Sequence, residues 1–266
     1  MPILKVRSGQ EIKLADIDPD DTGTISGKAE AKELLKAQIE RMAELQNILY
    51  AENKRSLLIV LQAMDAGGKD GTIRSIMSGV NPQGVRVTSF KQPSAEELEH
   101  DFLWRIHQVV PGRGMIGIFN RSHYEDVLVV RVHNLVPKSV WKKRYDHINA
   151  FERLLTGNGT TVLKFYLHIS KDEQRERFIA RLEQPHKRWK FSPGDLDERK
   201  LWPDYMAAFE EAFERCSPKE APWYIVPANK KWYRNLVIAE TIVQTLEKMD
   251  LKYPAPVEGL ENIVIE

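Results

Sequence analysis

With 266 residues, 42% of them hydrophobic and 29% charged, the chain can bury one large core and is no disordered tail, collagen-like rod or low-complexity polymer. Against 38 Asp and Glu stand 39 Lys and Arg, a net charge of +1, so no overall field draws it to nucleic acid or acidic lipid and any anion site has to be local. The single Cys216 rules out an intramolecular disulfide, and seven scattered histidines give no zinc-ligand spacing; a reducing cytoplasm is the expected setting.

Residues 1–27, rich in Asp, Gly, Thr and Pro, read as an arm that wraps the core, and charges interrupt the first seven residues too soon for a signal peptide. From Lys28 to Tyr50 the apolar positions Leu35, Ile39, Met42, Leu45 and Leu49 recur at three and four, which predicts an amphipathic helix. Ser56–Leu61 is a continuous apolar run ending in a glycine-rich turn, the pattern of a strand covered on both faces. Similar runs at Val85–Phe90, Met115–Phe119, Val162–Ile169 and Trp223–Val226 predict four more strands. Between and after them lie helical stretches at Ala95–Val109, Pro137–Leu155, Asp172–Leu182, Glu198–Phe213 and Lys231–Met249. Alternating strand and helix predicts an open α/β fold with a central five-stranded parallel sheet and helices on both faces. Pro185, Pro193 and Gly194 break the periodicity over 183–202, expected to be a mobile lid, and residues 252–266 read as a second arm. The whole chain, 1–266, is expected to be one domain, and no apolar run approaches the roughly 20 residues of a membrane helix.

After the first long strand, Ala63-Met64-Asp65-Ala66-Gly67-Gly68-Lys69-Asp70-Gly71-Thr72 leads into a helix. Strand, glycine turn, lysine and helix is the order of a phosphate cradle, in which glycines let backbone N–H groups approach an anion and the lysine adds a full charge. The match to G-x-x-x-x-G-K-[S/T] is imperfect, with Ala63 for the first glycine and Asp70 for the metal-binding hydroxyl; an ordinary strand-to-helix turn with a surface lysine is the plainer reading. Asp65 would repel a phosphate unless a cation such as Mg²⁺ stands between them; otherwise it is a turn or capping aspartate. Asn120-Arg121-Ser122-His123-Tyr124-Glu125-Asp126 follows the third of these strands, at the sheet edge where ligands bind, and Arg121 there is either a phosphoryl contact or a surface ion pair. Lys171–Phe191, with seven Lys and Arg against four acids, and Pro137–Arg153, with five against two, are candidate walls of a basic channel or simply solvated helices.

Taken together, Asp65 to Gly71, Phe119 to Asp126, and Arg188-Trp189-Lys190 with Asp195 and Trp202 give a chain that resembles the polyphosphate kinase 2 family from about Asp18 to Leu246. The resemblance implies a P-loop kinase-like three-layer α/β/α sandwich with a helical lid, Mg²⁺ or Mn²⁺ dependence, and reversible phosphoryl transfer between inorganic polyphosphate and AMP, ADP and ATP. It also implies a homo-oligomer, a tetramer or a dimer. Gly67, Gly68 and Lys69 match the family's phosphate loop, Asp65 its loop carboxylate, Arg121 the arginine after the third strand, and Arg181 and Asp195 its lid contacts to phosphate and metal. Catalytic roles are therefore expected of Asp65, Lys69, Arg121 and Arg181, and metal binding of Asp65 and Asp195. The expected substrate-binding set adds Ala66, Gly67, Gly68, Asp70, Gly71, Thr72, Arg74, Asn120, Tyr124, Glu125, Arg131, Lys187 and Arg188. The chain has Asn120 and Glu125 where many relatives that make polyphosphate or use ADP have Asp and Asn; Tyr124-Glu125-Asp126 resembles the subgroup that accepts both AMP and ADP. An ATP-dependent nucleotide kinase of the same architecture and a non-catalytic polyanion-binding module are the competing readings.

Overall fold

A computed structural model describes residues 3–260 and 263–265; residues 1–2 of the first expected arm, and 261–262 and 266 of the second, lie outside the described residues. In chain order the elements are β1 (Leu4–Lys5), α1 (Lys28–Glu52), β2 (Ser56–Gln62), α2 (Lys69–Ile76), β3 (Val85–Ser89), α3 (Ala95–Leu98), α4 (Trp104–His107) and β4 (Ile116–Asn120). There follow α5 (Val129–Val132), α6 (Lys138–Gly157), β5 (Thr160–His168), α7 (Lys171–Glu183), α8 (Gly194–Lys200), α9 (Trp202–Arg215), β6 (Trp223–Pro227) and α10 (Lys231–Lys248).

The described strands form one mixed sheet of six in the order β1-β6-β5-β2-β4-β3. β6, β5, β2, β4 and β3 run parallel, with Leu57 beside Ile116 and Thr161, while β1 pairs antiparallel with β6 through Leu4 and Ile225. The expected five-stranded parallel sheet is therefore corrected to a mixed sheet of six. A two-residue strand carries no alternation that a sequence can display; it forms because Val6 and Leu14, both buried, lay the arm along the free edge of β6, where Val6 N–H donates to Trp223 C=O at 2.9 Å.

Alternate residues of each central strand enter two cores. Leu58, Val60, Phe119, Val162 and Trp223 pack with Trp141, Tyr145 and Ile148 of α6 and Phe209 and Phe213 of α9. Leu57, Ile59, Ile118, Leu163 and Phe165 pack with Met42, Leu45 and Leu49 of α1, Ile76 of α2 and Leu236, Ile238 and Ile242 of α10. Helices on both faces explain why β2 is buried at all seven positions and reads as an unbroken apolar run.

Two expected helices divide. Over Ala95–Val109, Asp101 accepts the Leu103 N–H at 2.9 Å and turns the chain between α3 and α4, a competition between side chain and helix that apolar spacing does not register. Over Glu198–Phe213, α8 ends before Leu201 and α9 starts afresh with Pro203 in its first turn, where a missing N–H costs nothing. The 183–202 segment holds a 3₁₀ stretch, Pro185–Lys190, followed by α8. Residues 251–257 have no regular structure and are mostly exposed.

Candidate active site

β2 leads to β3 at one edge of the sheet and β5 leads to β6 toward the other, so the connections diverge between neighbouring strands and leave a crevice beyond their carboxyl ends. A cavity of about 780 Å³ opens there, lined by the turn after β2, Asn120 and Arg121 after β4, one face of α7, Lys187 and Lys190, and Lys231 and Arg234 of α10.

The turn is held from behind by its own carbonyls. Lys69 Nζ donates to Ala63 C=O at 2.9 Å, Gln174 to Asp65 C=O at 2.9 Å, and Arg177 to the Ala66 and Gly67 carbonyls at 2.9 and 3.0 Å. Arg234 reaches Gly67 C=O at 3.3 Å. The first bond of α2 runs from Thr72 N–H to Gly68 C=O, so the amides of Lys69, Asp70 and Gly71 precede the helix ladder and can receive an anion. Gly68 has φ +103°, and a Cβ on it would stand 2.0 Å from Arg234 Nη1; one on Gly67 would stand 2.5 Å from Ala63 Cβ. Gly67 is thus required by space and Gly68 by its backbone conformation.

Charge in the cavity is mixed and closely paired. Arg121, with φ +62°, donates to Asp65 Oδ1 at 3.0 Å, and Asn120 donates to Asp70 Oδ1 at 2.7 Å. Arg181 bonds Asp195 Oδ2 at 3.2 Å and Lys190 C=O at 3.1 Å. Burial, with the Arg121 charge beside it, brings the Lys69 ammonium down to about 8. Burial works against the Arg121 guanidinium too, but Glu125 and Asp65 hold it charged. Burial and the neighbouring Asp65 carboxylate raise Asp195 above the usual aspartate range. Arg234, almost wholly buried, is lowered to about 9 by burial and by Arg177. Such a site is short of negative charge at its floor and would gain from a polyanion.

Among the described residues, no three His, Cys, Asp or Glu side chains gather into a group able to hold a metal. Asp195 nonetheless feels the Asp65 charge, and two carboxylates with phosphate oxygens and water completing the shell are the donor set that Mg²⁺ takes.

Of the residues expected from sequence, Asp65, Ala66, Gly67, Gly68, Lys69, Asp70, Gly71, Asn120, Arg121, Arg181 and Lys187 line this cavity. Glu125 lines an adjoining one of about 170 Å³, which shares Asp65 and Arg121 with the first and whose wall includes Gln62, Leu128, Glu198, Tyr205 and Phe209. Asp195 stands behind Arg181 rather than on the wall. Five residues lie elsewhere. Thr72 is buried with its hydroxyl on Gly68 C=O, and Arg74 is exposed near the end of α2. Tyr124 is wholly buried in the core, its hydroxyl donating to Glu152 at 2.9 Å. Arg131 pairs with Glu211 at 2.7 Å over the Trp141 ring, and Arg188 is exposed and bonded to Leu182 C=O. Packing inside the α6 and α9 layer holds Tyr124 and Arg131 apart from both cavities in this structure.

Arg177, Lys190, Lys231 and Arg234 line the cavity and were absent from the expected set. Glu173, Arg177 and Arg181 are spaced by four on α7, a single helical face that marks Arg177 once Arg181 is suspected. No local signal in the sequence marks Arg234.

The polyphosphate kinase 2 (PPK2) family model matches residues 24–254. A protein of Meiothermus ruber named AMP/ADP-polyphosphate phosphotransferase is 56% identical over 263 residues, 98% of each chain. The ADP-polyphosphate phosphotransferase of Rhodopseudomonas palustris is 47% identical over 262 residues, 94% of this chain and 91% of that one. The crystal structure of polyphosphate kinase 2 from Arthrobacter aurescens TC1 superposes with a TM-score of 0.93 at 47% identity, over 97% of this chain and 93% of its own. Likeness this extensive in both sequence and fold leaves one conclusion about descent: the chain belongs to the polyphosphate kinase 2 family.

Proposed function

We propose that this protein transfers phosphoryl groups from inorganic polyphosphate to AMP and ADP, reversibly and with Mg²⁺ or Mn²⁺, making ADP and ATP. The observation that carries the reading is the turn between β2 and α2, whose carbonyls are tied back by Lys69, Gln174, Arg177 and Arg234, so that its amides are left for an anion with those positive charges behind them. The names of the Meiothermus and Rhodopseudomonas relatives support the same donor and acceptors.

On this reading the turn is a P-loop, the fold is P-loop kinase-like, and the single domain of 1–266 carries a lid at 183–202. Lys69 and the amides of the turn hold the terminal phosphates of the chain. An ionised oxygen of the nucleotide phosphate attacks the terminal phosphorus, and the bond from that phosphorus to the bridging oxygen breaks. The shortened polyphosphate leaves with the electron pair. No general base is needed, because the attacking oxygen is already ionised; alignment and charge compensation do the work. Arg121 and Arg181 offset the charge on the group in transfer. Asp65 and Asp195 would hold the metal ion, which when bound supplies charge compensation between donor and acceptor phosphates. Glu125, in the adjoining cavity, would position the acceptor and favour AMP. A homodimer or homotetramer in the cytoplasm belongs to the same reading; among the described residues no helix is long and apolar enough to cross a membrane.

Purified protein given Mg²⁺, AMP and polyphosphate, with no ATP, is expected to form ADP and then ATP. Product only when ATP is the donor would make it a nucleotide kinase, and binding of polyphosphate without product would make it a polyanion-binding module. Light scattering on the same sample reads the oligomer.

A further inference from the structure

Residues 121–126 divide between two environments. Arg121 and Glu125 face the cavities, while Ser122, His123 and Tyr124 are wholly buried beneath them. Below lies a set of polar bonds inside an otherwise apolar layer, in which His123 Nδ1 is left without a partner. Lys164, on β5, spends all three of its donors: 2.5 Å to Glu152 Oε2, 2.8 Å to the Tyr124 hydroxyl and 2.8 Å to Cys216 C=O. Glu152 Oε1 accepts from the Tyr124 hydroxyl at 2.9 Å and lies 3.2 Å from His123 Nε2. From the side, Gln62 at the end of β2 donates to Ser122 Oγ at 3.2 Å, and the same oxygen accepts the Tyr124 N–H.

Neither Lys164 nor Tyr124 lines the main cavity, and a buried ion pair is a poor device for stability alone, since well-packed apolar residues serve as well or better. Directly above it, however, Arg121 has a left-handed backbone that a non-glycine residue keeps only where its surroundings over-determine it. We propose that Lys164, Glu152 and Tyr124 are positioning residues, which tie down the His123 and Tyr124 side chains from below and so hold Arg121 on Asp65, beside Glu125, at the mouth of the second cavity. The kinetic part of this inference rests on the phosphotransferase reading.

The test uses Tyr124→Phe, which keeps the ring against Trp223 and deletes only the hydroxyl, with Lys164→Met as a harsher companion. Each is assayed well below its own Tm, so that a loss of folded protein does not enter the rate. The expected result for Tyr124→Phe is a fall in kcat on the order of 10- to 100-fold, as a misaligned transferring group would give, with KM for polyphosphate within about twofold of the parent because the turn after β2 is untouched. Its crystal structure is expected to show Arg121 out of its left-handed conformation and parted from Asp65. An unchanged kcat with only a lowered Tm overturns the proposal, and so does an Arg121 seated as in the parent. Parent protein that makes no ADP from AMP and polyphosphate fails the phosphotransferase reading instead, and the crystal structure of the variant still decides this one.

Discussion

Lys69 carries its charge at a cost, because burial and Arg121 bring it down to about 8 while its Nζ holds Ala63 C=O. A lysine with a lowered value is charged only below that value, so kcat/KM for polyphosphate is expected to decline as the pH of the assay rises through about 8. Lys69→Arg should shift that decline to higher pH, and Lys69→Met should abolish it along with at least ~10²-fold of the rate, the scale of one strong electrostatic donor. The same desolvation gives a prediction for stability: at neutral pH the folded state keeps a charge it disfavours, so Lys69→Met should melt no lower than the parent in calorimetry. Gly68 is constrained differently, by φ +103° and by Arg234 behind it. Gly68→Ala is expected to lose about 1–3 kcal/mol in urea unfolding, the range for one strained residue, and to lose activity as the amides shift.

At the scale of elements, α7 joins both halves of the site. Its Arg177 braces the turn after β2, and its Arg181 reaches Lys190 and Asp195 of the 183–202 segment. Arg181→Ala is expected to cost at least ~10-fold in kcat and to lower Tm modestly, since Arg181 is partly exposed but its loss leaves the largely buried Asp195 without its partner. Arg181→Lys should recover only part of the rate, because an ammonium lacks the planar fork that bonds a carbonyl and a carboxylate together. Most of these elements were legible from the chain. Short, mostly apolar runs marked β2, β4, β5 and β6 to within two residues at each end, three-and-four spacing marked α1, and the helical stretches read between and after the strands matched α6, α7 and α10 to within two residues at each end. The failures have local causes of another kind: Asp101 turning the chain with its own carboxylate, and Pro203 starting a helix inside a stretch whose apolar spacing continued through it.

For the whole molecule, near-neutrality means that attraction for a polyanion comes from the cavity alone. KM for polyphosphate should therefore climb several-fold between about 50 and 200 mM salt, while KM for AMP, with far fewer charges, moves much less. The N-terminal arm contributes to stability rather than to chemistry. Leu14, buried in the α9 core, has its N–H on Glu210 at 2.8 Å. Leu14→Ala is expected to cost about 2–5 kcal/mol in denaturant unfolding and to leave the rate per folded molecule unchanged.

What the amino-acid sequence determined by itself is whatever a window of ten or twenty residues can encode: strands buried on both faces, helices with one apolar side, and a glycine turn followed by a lysine. Tertiary structure alone decided how the polar residues were shared out. Lys164 meets Tyr124 across 40 positions, and Arg234 reaches Gly67 across 167. Whether a tyrosine in the motif after β4 faces the substrate or the core, and which arginines lie under the turn, depends on which distant side chains the folded sheet brings within hydrogen-bond distance. No local pattern records that, because the free energy of a buried polar group is set by its partners and not by its neighbours in the chain.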